Sequence, residues 1–129
     1  MLTFTAPDDS KVTIDPVRVV RARRTVSGEN RDGANTRIDW VEVQFVQEPI
    51  EDVAAQIKNA VQEFTAVTSK DGSRIWFNAK QAVGPLTITP SQAVDGVRSS
   101  LKIMGYKQFV TETPDEVRAI ISAAGGSPV

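Results

Sequence analysis

Cysteine and histidine are both missing from the chain. Their absence removes disulfides, thiol nucleophiles, imidazole acid–base chemistry and the usual zinc ligands together. No apolar run approaches the roughly 18 residues needed to span a membrane. The first residues, Met1 to Asp9, hold neither a basic segment nor an apolar run, so no signal peptide is expected. Charge of either sign is not in excess. Fifteen Lys and Arg against 16 Asp and Glu give a net −1 and a pI of 5.4, which supplies no global pull toward nucleic acid or membranes. With no disulfide framework, a cytoplasmic location is the expectation.

What is present suits a packed domain. The chain has 129 residues, 40 % hydrophobic and 24 % charged, enough to bury a core without metal or disulfide support. Leu2 and Phe4 alternate with threonines before a turn signal at Pro7 to Ser10. Lys11 to Ile14 alternates again and meets Asp15-Pro16, where the residue before proline stays extended while the chain bends. Val17 to Arg24 reads as a strand of β-branched residues spaced by arginines. Thr25 to Asn35 carries Ser27-Gly28 and Asp32-Gly33 without periodicity and reads as a mobile loop. From Thr36 to Val46 the apolar phase switches at Val41-Glu42, which implies a bulge or a tight hairpin.

Two helices are legible. Ile50, Val53, Ile57 and Val61 form one apolar stripe after Pro49, which is expected in the first turn. The second starts at Thr113-Pro114-Asp115-Glu116, a capping box. It shows Val117, Ile120, Ile121 and Ala124 on one face and stops at Gly125-Gly126.

These elements repeat. Phe45, Val46, Glu48, Val53, Ala55, Ile57 and Ala60 recur as Phe109, Val110, Glu112, Val117, Ala119, Ile121 and Ala124, 64 positions later (45 to 109). Ser10 to Asp15 aligns with Ser73 to Asn78, and Asp32-Gly33 with Asp95-Gly96, at an offset of 63 (10 to 73), so one residue is added near the hairpin. There the second copy reads Met104-Gly105, which favours a two-residue hairpin. The reading is an α+β chain of two tandem β-rich repeats, each with three to four antiparallel strands followed by one helix, packed as a pseudo-two-fold single domain over 1–129. Repeat one covers 1–62 and repeat two 63–126, with a short flexible tail at 125–129. The expected core is Val12, Ile14, Val20, Ile38, Phe45, Val53 and Ile57, with Ile75, Phe77, Val83, Leu101, Phe109, Val117 and Ile121 as counterparts.

Asp71-Gly72, the strand end Ile75-Trp76-Phe77-Asn78, Leu101 to Ile103, the Met104-Gly105 turn, Phe109 to Glu112 and Pro114 to Val117 follow in the order strand, glycine turn, strand, hairpin and helix start. In this each half resembles the small FlbD-like swarming-motility and flagellar proteins. The resemblance implies a fold type and a non-enzymatic class, and it assigns no binding residues. The chain departs from that family in being doubled and in its long loops at 25–35 and 85–98.

Arg18, Arg21, Arg23 and Arg24 form the one dense basic cluster. They could meet an acidic partner or phosphates, or simply protect a solvated edge strand. Trp40, Trp76 and Tyr106 could stack on bases if exposed, but their alternating surroundings point to packing. The carboxylate pairs Asp8-Asp9, Glu51-Asp52 and Asp115-Glu116 sit in turns or first helical turns. No phosphate-cradling or cation-loop pattern occurs. Catalytic, metal and cofactor sites are therefore not expected, nor a small-molecule ligand. The expected function is a small protein-interaction or scaffold module. The alternative is a single-stranded nucleic-acid binder using an arginine-bearing sheet.

Overall fold

A computed structural model describes all residues 1–129 and divides the chain into two compact units, Met1–Val61 and Gln62–Val129. In the first, β1 (Leu2–Thr5) and β2 (Lys11–Ile14) pair antiparallel with Leu2 opposite Ile14. Asp15 is extended, and its carboxylate accepts the Val17 N–H (3.1 Å) to start a 3-10 turn at Pro16–Arg18. The expected strand from Val17 is thus shortened to β3 (Arg21–Arg24). An antiparallel meander continues through β4 (Thr36–Asp39) and β5 (Val43–Val46) to α1 (Ile50–Ala60).

The second unit has the same order. It contains β6 (Phe64–Thr68), β7 (Arg74–Asn78), a 3-10 turn at Ala79–Gln81, β8 (Ala82–Leu86), β9 (Ser99–Ile103), β10 (Tyr106–Val110) and α2 (Pro114–Ala123). Asn78 caps its turn through the Lys80 N–H (2.9 Å), as Asp15 does in the first. The chain is α+β, and each unit has five short strands because each late strand is a hairpin of two. Met104 (φ 47°) and Gly105 (φ 88°) both adopt the left-handed conformation of a type I′ turn. In the first unit the Trp40 N–H donates to the Glu42 carbonyl (3.0 Å), leaving Val41 as a one-residue apex. The residue added in the second copy is therefore in this turn.

Helix starts follow the local chemistry. Thr113 and Glu116 exchange the two hydrogen bonds of a capping box (3.2 and 2.9 Å), with Pro114 in the first turn. Pro49 is the N-cap of α1 rather than a first-turn residue. Helix α2 closes with the Gly126 N–H donating to the Ile121 carbonyl (2.9 Å). A Cβ on Gly126 would lie 2.5 Å from the Ala79 carbonyl oxygen, so only glycine fits. The tail at 125–129 is tied at its end: the Val129 N–H donates to Gly84 O (2.9 Å) and Arg118 Nε to Val129 O (3.0 Å).

Most expected core residues are buried: Ile14, Val20, Ile38, Val53 and Ile57, then Ile75, Phe77, Leu101, Val117 and Ile121. Four are not. Val12 is half-buried while Phe4 takes the core, and Phe45 and Phe109 are half-buried while Val46 and Val110 fill it. Cross-strand partners share a sheet face. Phe45 lies opposite Arg37, whereas Val46 lies opposite buried Thr36. Val83, 52 % exposed, pairs with Lys102 just before a bulge at Gly84-Pro85.

One repeated residue joins the parts of each unit. The Glu48 carboxylate accepts the Thr5 N–H (2.9 and 3.0 Å) and hydroxyl (3.0 Å), while its main-chain carbonyl accepts the Thr36 hydroxyl (2.7 Å). Glu112 repeats this: its side chain accepts the Thr68 N–H (2.9 Å), and its carbonyl the Ser99 hydroxyl (2.7 Å). Beside them the Gln47 N–H donates to Thr5 O (2.8 Å) and the Thr111 N–H to Thr68 O (2.9 Å). Removing either carboxylate strands a part-buried backbone donor, so Glu48→Ala and Glu112→Ala should each cost about 1–3 kcal/mol in denaturant unfolding. Glutamine, which keeps an acceptor, should restore part of it. Val117→Ser with Ile121→Ser should remove more than about 5 kcal/mol and abolish cooperative unfolding by circular dichroism. An unchanged melting temperature would refute the packing role of α2.

Candidate functional site

Strands β3, β4 and β5 turn Ala22, Thr36, Ile38 and Val46 to the core, so alternation sends Arg21, Arg23, Arg37, Asp39, Val43 and Phe45 to the other face. That face carries a chain of five charges. Arg21 Nε donates to Asp39 Oδ2 (2.8 Å), and both side chains are nearly solvent-free, at 7 % and 3 % exposure. Asp39 Oδ1 accepts Arg37 Nε (3.0 Å), and Arg37 Nη1 donates to Glu29 (3.2 Å). Glu29 in turn takes a two-point contact from Arg23 (2.8 and 3.0 Å).

The physical need for Glu29 is local. Arg23 and Arg37 lie directly opposite on neighbouring strands, a repulsive arrangement unless an anion bridges them. The loop at 25–35, expected to be mobile, supplies that anion. It is tied by the Thr25 hydroxyl to Ala34 O (2.8 Å) and by Asn35 Nδ2 to Gln47 O (2.7 Å). Glu29 also accepts the Val26 N–H (3.0 Å). Its carboxyl is held at about 2 against an ordinary 4.5, chiefly by the Arg23 hydrogen bonds, then the Val26 N–H, the Arg23 charge and Arg37, with burial opposing.

The four clustered arginines therefore part company. Arg21 and Arg23 face one way, and both are engaged by carboxylates. Arg18 leaves the strand for the 3-10 turn, largely exposed and 3.9 Å from Asp15. Arg24 is exposed at the end of β3. Glu29, Arg37 and Asp39 escape a reading by local clusters, because only the strand register brings them together. The i, i+2 spacing of Arg37 and Asp39 was the one signal available. Trp76 is half-buried and stacked on Phe64 (5.9 Å, 18°), Tyr106 is exposed, and Trp40 is half-buried with its indole N–H inside and without an acceptor.

Next to the charges runs an apolar row. Val41 is 59 % exposed and Val43 43 % exposed, with half-buried Phe45 following. Repeat two keeps the phenylalanine, as Phe109, but departs from this design at all five charges and at Val43. Leu86 faces Ser100 where Arg23 faces Arg37, Gly84 replaces Arg21, Lys102 replaces Asp39, and Lys107 replaces Val43. Gln92 stands for Glu29 and caps the Thr89 N–H (2.9 Å), so the loop geometry survives without the charge. Ser100 keeps a buried hydroxyl without a partner.

Comparison with protein-family models, with curated proteins and with solved structures finds no match.

The Glu29 bridge makes an acid-stability prediction. Its folded value is depressed, so its stabilisation is fully present above about 4.5 and is lost as pH falls toward about 2. Glu29→Gln should be less stable at neutral pH and show a shallower loss of stability across that window. Chemical unfolding at pH 7, 4 and 2.5 measures this, and parallel curves for the two proteins would refute the bridge.

Proposed function

We propose that the chain is a small, non-enzymatic, cytoplasmic protein-interaction module whose working surface is the β3–β4–β5 face of repeat one. The observation that carries the reading is the apolar row Val41, Val43 and Phe45 beside an ordered charge chain. Fixed, mutually paired charges next to exposed apolar side chains are what a protein interface uses: the apolar part supplies contact area, and the charges set register. The internal comparison supports this. Repeat two builds the same fold without the five charges, so folding alone does not require them. A buried ion pair is in any case a weak source of stability relative to apolar packing. The resemblance of each half to FlbD-like proteins agrees with a non-enzymatic role.

The single-stranded nucleic-acid reading loses support on the same residues. Arg21 and Arg23 would have to abandon Asp39 and Glu29 to meet phosphates. A photo-crosslinking residue in place of Val43 should give discrete protein adducts in cells, with far fewer from position 107. In parallel, anisotropy of labelled oligonucleotides should show no binding at low or physiological salt. Salt-steep binding that vanishes when Arg18, Arg21, Arg23 and Arg24 become alanine would overturn the proposal. An absence of protein adducts at position 43 would do so too.

A further inference from the structure

We infer that the open edge of β5 pairs antiparallel with the same edge of a second copy of this chain; this rests on the protein-interaction reading above and names the partner. In an antiparallel ladder, backbone groups alternate between facing the neighbouring strand and facing away. The Trp40 N–H to Glu42 carbonyl bond sets the phase. Glu42, Gln44 and Val46 face β4, and Val43 and Phe45 turn their N–H and C=O groups outward. Gln47 has the same phase, and its N–H is taken by Thr5 O. The open stretch is therefore bounded by the Val41 apex at one end and by β1 at the other.

Sheet edges are normally blunted by charge, lysine above all. β10 follows that rule: Lys107 holds its ammonium 5.2 Å from the centre of the Phe109 ring. β5 does not. Val43 occupies the lysine position, and Val43-Gln44-Phe45-Val46 has no charge at all. Two strands in equivalent places of the two units, one guarded and one bare, differ where pairing would be permitted or prevented.

The register selects a second copy as occupant. A two-fold axis at Gln44 sets Val43 of each copy opposite Phe45 of the other, and these are the residues with outward backbone groups. Four main-chain hydrogen bonds result, with both valines and both phenylalanines on one face. The Phe45 carbonyl already accepts Gln44 Nε2 (2.9 Å) and has a second lone pair available. Charges are compatible: Glu42 meets Val46 and Glu48 meets Trp40, so no like charges face one another. A net charge of −1 adds little long-range repulsion between copies. A four-residue strand falls well short of the roughly 800 Å² per partner of a stable complex, so association should be weak.

Sedimentation velocity of the full chain from about 10 µM to about 1 mM, the range of weak association, tests this. The wild type should pass from monomer to dimer. Val43→Lys, which installs the guard of β10 at an exposed site, should weaken association at least tenfold with an unchanged thermal unfolding curve. Val94→Lys, which adds the same charge to an exposed loop valine of the other unit, should dimerise like the wild type. A wild type that stays monomeric at the highest concentration would overturn the inference, as would equal loss in both variants. A monomer that still forms protein adducts at position 43 would remove self-pairing and leave the interaction module standing.

Discussion

The tie between a glutamate and the first strand's threonine is what the rest of each unit depends on. An early hairpin and a late meander are far apart in sequence, so closing them together costs entropy that local contacts do not return. Glu48 and Glu112 offset that cost at a single point. Each binds the N–H at the end of the first strand with its carboxylate, and a hydroxyl at the start of the fourth with its carbonyl. Each also sits immediately before a helix. One residue thus relates the hairpin, the meander and the helix, and its reappearance after 64 positions (48 to 112) has a mechanical cause.

With that frame duplicated, the differences between the units become informative. Both loops use a side chain to cap a backbone N–H three residues earlier, Glu29 for Val26 and Gln92 for Thr89. Only the glutamate also bridges two facing arginines, and only repeat one places a buried Arg21–Asp39 pair beside it. The capping belongs to the fold, while the charge belongs to one face of one unit. The same contrast separates Val43 from Lys107, one strand edge open and the other covered by a cation on an aromatic ring.

Much of this was legible from residues in order. The repeat, the α+β class, the Thr113 capping box, the Met104-Gly105 hairpin and the faces of both helices rest on spacing and on side chains acting within a few positions of themselves. The outward turn of Phe45 and Phe109 was not, because Val41-Val43-Phe45 looks like a buried alternation until its partner strand is known. Nor was the engagement of Arg21 and Arg23, which clustered in sequence as if available.

No helix of the chain is long and apolar enough to cross a membrane, in agreement with its hydropathy. By itself the sequence determined the elements, their order, their duplication and the chemistry open to them, since all of these follow from composition and short-range periodicity. Tertiary structure alone decided which face of β5 meets the core, which carboxylate meets which arginine, and which edge is left open. Those are properties of register, and register is set by pairing between strands that no single stretch of chain contains.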